Sequence, residues 1–240
     1  MKVISEDALK DFQQRIGYLR EFIGFSSEDA EALHAAKPVV APLVPVVVDA
    51  VYEKLLSFSV TAKAFVPRQT GYQGTAPTRL GDLSQEHPQI KFRKDFLARY
   101  LVKLVTMDYN DSSSWEYLDK VGLMHTGNAG FAHREKKPPL RVEYMHCAIL
   151  LGYVEDILVN AVLTHPDLDD DTKTAVLRAF NKIVWIQNDL FARHYIAEAD
   201  ALPSSTGLLS APKSTLITAV SVGLLAVGVA FQLGLRFARS

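Results

Sequence analysis

Cysteine is nearly missing from this chain: Cys147 is the only one in 240 residues. A single thiol closes no disulfide, and no Cys-x-x-Cys spacing offers a structural zinc site. The fold must therefore be held by its apolar core, with a reducing compartment as the default. An excess of either charge is missing too. The 26 Lys and Arg nearly balance the 27 Asp and Glu, for a formal net charge of -1. There is no basic stripe, so the electrostatic footprint of nucleic-acid binding is excluded. There is no glycine-rich phosphate loop, no nucleophile beside a base, and no carboxylate pair in apolar surroundings. The run Asp169, Asp170, Asp171 reads as the start of a helix, not as a metal site. Strand–helix alternation and internal repeats are absent, and acids occupy the first twelve residues where a signal peptide needs an apolar stretch.

What the chain has is helical period. Between residues 7 and 23, Leu9, Phe12, Ile16, Leu19 and Ile23 recur at three- and four-residue steps, the mark of an amphipathic helix. Ser26, Ser27, Glu28 and Asp29 supply a cap and acids for a second helix, to about Ala36. Over 38–58, Val40, Val44, Val47, Val48, Val51, Tyr52 and Leu55 keep the period, while the valines and Pro42 and Pro45 argue against it. A helix is expected from Pro45 onward, with its start open. Residues 66–88, rich in Thr, Gln, Gly and Pro, read as loop, with room for a short helix. Helices are expected over 90–107, 115–127, 140–163 and 172–199, with a polar connection over 126–139. The segment 140–163 is apolar nearly all round and is expected to be central and buried. The fold class is all-α.

From residue 216 to 235 there is no charged side chain. About 20 apolar residues at ~1.5 Å each span the ~30 Å hydrocarbon core of a bilayer. The expected organisation is a helical domain over 5–200, a flexible Ser-, Pro- and Gly-rich linker over 201–213, and a transmembrane helix over 214–235, flanked by Lys213, Arg236 and Arg239. This layout resembles tail-anchored proteins with the folded domain in the cytosol. The short basic tail favours the mitochondrial outer membrane, with endoplasmic reticulum and peroxisome as alternatives.

One segment carries more than period. Asp119 to Gly127, DKVGLMHTG, is a short helix ending in His125, followed by a polar connection, Pro138 and Pro139, and Tyr144 on an apolar helix. Upstream lie Ile23, Gly24 and Phe25, then Lys37 and Pro38, then VDAVYEKL around Tyr52. This pattern resembles the globin-coupled sensor and protoglobin family over roughly residues 5–200. The extra helix before residue 24 matches that family's pre-helix. The chain departs from the family in the longer connection from His125 to Tyr144, in the loop 66–88, and in having no output domain after residue 200.

The resemblance implies a globin-like fold with a b-type heme. Heme iron takes a neutral imidazole, and His125 is the expected ligand. His133 competes, because its spacing to Tyr144 is closer to the family's, but it sits in the charged stretch Arg134, Glu135, Lys136, Lys137. On the opposite face Tyr52 is the implied hydrogen-bond donor to a bound diatomic gas. Phe96, Tyr100, Val51 and Met145, with Leu97 and Leu101, would wall the pocket; His87 would meet a propionate or stand apart. The implied partners are oxygen, carbon monoxide or nitric oxide, and the bilayer. A homodimer through the last two soluble helices and a separate output protein are implied as well. Reversible binding is favoured over enzymatic use; nitric oxide dioxygenation would need a separate reductase. The alternative is a heme-free, tail-anchored interaction scaffold. The Asn-Trp-Gly-Arg motif of tail-anchored apoptosis regulators is absent from the sequence.

Overall fold

The structure, a computed structural model, describes residues 1–69, 71–128 and 141–201, with side chains to Ala197. The rival ligand His133, the Pro138–Pro139 pair, the linker after Ala201 and the apolar run 214–235 lie outside the described residues. The chain divides into two compact units, Met1–Glu198 and Ala199–Ser240, and the first carries both Tyr52 and His125.

All regular elements among the described residues are helical: α1 (Phe12–Ile23), α2 (Ser27–Ala35), α3 (Lys37–Leu56), the short α4 (Ser59–Ala62), α5 (Pro88–Leu104), α6 (Ser112–His125), α7 (Tyr144–Leu163) and α8 (Asp170–Ala201). Short 3-10 turns stand at Asp7–Lys10, Lys63–Phe65 and Leu80–Asp82. The last of these is the one regular turn among the described residues of the long loop before α5.

The helix ends follow from local chemistry. The Asp11 carboxylate accepts from the Gln14 amide at 2.9 Å and starts α1, and Gly24, at φ 69°, ends it in the left-handed conformation. Asp29 accepts from the Ser26 amide at 2.8 Å at the start of α2. Pro88 occupies the first turn of α5, where its missing N–H costs nothing, and the His87 Nδ1 accepts from the Gln89 amide at 3.1 Å. His87 thus serves as a helix cap. Asp111 caps α6 and moves its start upstream of Trp115, the first residue expected to be helical.

One open point is settled and one expectation is corrected. The open start of the third helix is helical from Lys37, with Pro42 and Pro45 inside it. Each proline removes one backbone hydrogen bond, but burial of Val39, Val40, Val44, Val47, Val48 and Val51 outweighs the loss. The corrected expectation concerns α7. It buries Cys147, Val154, Leu158 and Val162, but Met145, Ile149 and Leu163 are exposed. An all-apolar helix need not be surrounded on all sides. Of the described helices, α7 alone is long and apolar enough to cross a membrane, and it packs against α3 within the bundle.

The main core joins α2, α3, α5, α6, α7 and α8 around Leu33, Val47, Val51, Ile90, Leu118, Leu158, Ile183 and Leu190. The α3 helix packs against both α5 and α7. The pre-helix α1 is moored to α8 by Arg15, which donates from Nε and one terminal nitrogen to the two Asp189 oxygens, both at 2.6 Å. Lys182 of α8 reaches the Asp29 carboxylate at 2.7 and 2.8 Å and the Gly24 carbonyl at 2.8 Å. A smaller apolar cluster, Val121, Cys147 and Phe191, stands apart from the main core at the end of α6, with Tyr100, Tyr117, Val142, Tyr144 and Leu151 packed against it.

Candidate functional site

His125 is the last residue of α6, and contacts to α6, α8 and the segment just before α7 hold it. Its Nδ1 lies 2.7 Å from the Val121 carbonyl oxygen, one turn back. A carbonyl only accepts, so Nδ1 carries the proton and the lone pair lies on Nε2. That is the tautomer in which an imidazole donates to a metal, with a carbonyl setting its orientation and basicity. Phe191 of α8 meets the half-buried ring edge-to-face at 5.1 Å. The His125 carbonyl accepts from the Val142 amide at 2.9 Å. Beside this bond, Thr126 and Arg141 form an isolated antiparallel bridge, and an Arg141 nitrogen donates to the Thr126 carbonyl at 3.1 Å. The two ends of the connection 129–140 are therefore tied together at His125.

The α6 helix is seated on α8 with little clearance. A Cβ on Gly122 would collide with the Leu190 carbonyl oxygen, so this crossing requires glycine. Asp119 accepts from Arg193 and from His194 Nε2, both at 2.9 Å. Gln187 of α8 donates to the Leu118 carbonyl at 3.2 Å and accepts from the Tyr100 hydroxyl at 3.1 Å. One buried amide thus ties α5 to α6. Burial pushes the Tyr100 phenol well above its usual range. Its hydroxyl is spent on Gln187, so Tyr100 acts as a tie between α5 and α8.

The Tyr52 side is built differently. Tyr52 on α3 is buried and packs on Phe65 at 5.6 Å between centroids. Burial raises its phenol to about 12, partly offset by Arg93, so it holds its proton at neutral pH and can donate. Val51 beside it is fully buried in the main core. Phe65 is itself buried, and the Arg93 guanidinium of α5 lies over its ring at 4.7 Å, with one nitrogen 3.3 Å from the Ala64 carbonyl. The carboxamide of Gln89, wholly buried, donates to the Phe65 and Pro67 carbonyls at 2.8 and 3.0 Å and accepts from the Gln69 amide at 3.0 Å. It pins the start of the long loop to α5, and so fixes Phe65.

The expected wall residues do not all share one environment. Leu97 and Tyr100 are half-buried against the main core, and Leu101 lies within it. Phe96 is 42% exposed, between Phe92, edge-on at 5.1 Å, and Arg99. Met145 is 67% exposed on the outer flank of α7, where Tyr144 and not Met145 joins the smaller cluster. Sequence reasoning missed Phe65, Arg93 and Phe191. Phe65 sits in a loop without period, and Arg93 reads as one charge on an amphipathic helix. Phe191 lies within the helix expected over 172–199, whose span alone singles out no residue.

The residues present suit a heme iron. An imidazole held through Nδ1 by a carbonyl borders the smaller apolar cluster, and a protonated phenol is buried in the main core, groups of the kind a heme iron calls on, though they belong to separate clusters. Comparisons with known proteins agree on the fold. A search of curated proteins finds no match. Among solved structures, the globin domain of the Geobacter sulfurreducens globin-coupled sensor is similar in fold, with a TM-score of 0.51 at 17% identity, covering 75% of this chain and 96% of that domain. The family model for protoglobins matches residues 12–201, from the first residue of α1 to the last of α8, and the chain belongs to the protoglobin family.

Proposed function

We propose that this protoglobin binds heme through His125 and takes up a diatomic gas reversibly on the Tyr52 side, in a sensing or redox role. The observation that carries the reading is the 2.7 Å bond from His125 Nδ1 to the Val121 carbonyl, which commits Nε2 to donation. Bound heme would supply an iron that takes a small ligand. The chain's own residues do the rest. Val121 and Phe191 orient the imidazole, Gly122 lets α6 approach α8, Tyr52 offers a proton to a polarised ligand, and Val51 and Phe65 keep water out.

The apolar run 216–235 supports attachment to a membrane, the mitochondrial outer membrane favoured, with the globin domain in the cytosol. Exposed apolar side chains support self-association through the last two helices. Met145 and Ile149 on α7 are exposed, as are Trp185 and Ile196 on α8. The register of the two helices is set by Tyr144, which meets Asn188 and Tyr195. In a sensing role, a partner protein would carry the signal onward.

The test is an absorption spectrum of the full chain in detergent, purified with heme supplied. Spectra are taken oxidised, reduced, and reduced under carbon monoxide, for the wild type, His125→Ala and His133→Ala. The reading expects a heme spectrum in the wild type and His133→Ala and its collapse in His125→Ala. A folded wild type without a heme spectrum rejects it in favour of the heme-free scaffold, and loss in His133→Ala alone moves the ligand.

A further inference from the structure

Arg93 is a charged side chain in a place where charges are rarely put. Its residue is 8% exposed. A guanidinium cannot shed its proton, so the charge is permanent and largely removed from water. Among its contacts are the Ala64 carbonyl at 3.3 Å and the Phe65 ring at 4.7 Å. Phe65 packs in turn against Tyr52. Tyr52, Phe65 and Arg93 thus form one contiguous buried group drawn from α3, the turn after α4, and α5. Arg93 shares a face of α5 with the half-buried Leu97, one turn on. Its field is felt at the Tyr52 hydroxyl, where it offsets part of what burial does to the phenol.

We infer that Arg93 makes the Tyr52 side of the pocket selective for anions, so that small anionic ligands of oxidised heme iron are held more tightly than neutral ones. The inference rests on the heme reading. It concerns a preference among ligands beyond that of an apolar pocket with a lone phenol. In a site of effective dielectric near ~20, a positive charge several ångströms from a bound anion strengthens binding by roughly tenfold or more, and leaves an uncharged ligand nearly untouched. Tyr52 donates to either kind, more strongly to an anion, and that preference is common to the wild type and every Arg93 variant. Arg93 adds a separate preference, because a ligand with net negative charge gains from its field.

The experiment compares azide binding to the oxidised protein with carbon monoxide binding to the reduced protein. It uses the full chain in detergent, as wild type, Arg93→Lys, Arg93→Gln and Arg93→Met, each checked for helix content by circular dichroism. Azide affinity is expected to fall about tenfold or more in Arg93→Met and Arg93→Gln, and much less in Arg93→Lys, while carbon monoxide affinity changes by less than about threefold in all. The C–O stretching frequency, which falls in a positive field, should rise in the two neutral variants and stay near the wild-type value with lysine. Should Arg93→Met not fold, Arg93→Gln and the infrared band carry the comparison. Unchanged azide affinity in the neutral variants overturns the inference, as does a parallel loss for azide and carbon monoxide, which would mark Arg93 as packing only. A wild type that takes no heme rejects the heme reading and the inference with it; a wild type that loads heme through His125 while Arg93→Met binds azide normally rejects the inference alone.

Discussion

The two sides of the candidate site are held by opposite means. Around His125 the fixing groups are polar and directional: a carbonyl one turn back, the Asp119 carboxylate with Arg193 and His194, and the Gln187 amide bridging α5 to α6. Around Tyr52 they are apolar and enveloping: Val51, Phe65 and the α3–α5 packing, with one buried cation among them. A metal ligand needs a set tautomer and ring plane, which hydrogen bonds provide. A gas-facing donor needs a dry surrounding, which burial provides and which strengthens every electrostatic contact inside it.

That contrast can be broken at its strongest point by His125→Ala. Losing the proposed ligand should lower heme affinity by more than about a hundredfold, measured by heme transfer to an acceptor protein. Packing behind the histidine comes next. Gly122→Ala forces a methyl into the Leu190 carbonyl and should cost about 1–3 kcal/mol of stability, read from thermal or denaturant unfolding. On the opposite side Tyr52→Phe leaves the packing nearly intact and deletes one hydrogen bond. Gas release should quicken about fivefold in stopped-flow, since one hydrogen bond contributes roughly 1 kcal/mol. Its pH signature is separate. The Tyr52 phenol is raised in the folded protein from 10 to about 12 by burial. Its contribution is therefore fully present below pH 10 and disappears as pH climbs through about 12. Tyr52→Phe should flatten the alkaline fall in stability across that window, and an unchanged slope would show that the phenol ionises freely. The smallest change is Asp119→Asn. It weakens a half-screened ion pair on the His125 side and should cost about 1 kcal/mol or less, without altering gas release.

Much of this was legible in the sequence, for reasons tied to particular residues. The rows Ile16–Leu19–Ile23 and Val44–Val47–Val51 write a 3.6-residue period that has one structural solution. His125 stood out because its flanking motif was short and specific. The start of α3 was not legible, because Pro42 and Pro45 speak against a helix locally and the burial that overrides them is tertiary. The apolar circumference of α7 told nothing of which side stays uncovered. Phe65 and Arg93 escaped because they meet across the α4–α5 connection, and no spacing along the chain records a ring seated under a guanidinium.

The bridge between Thr126 and Arg141 has a consequence for how this chain tolerates change. Residues 129–140 begin and end at a closed neck, so their number is thermodynamically cheap: doubling a loop costs only about 0.6 kcal/mol in closure entropy. Insertions or a protease nick within that stretch would be absorbed at the neck, and the imidazole would not register them.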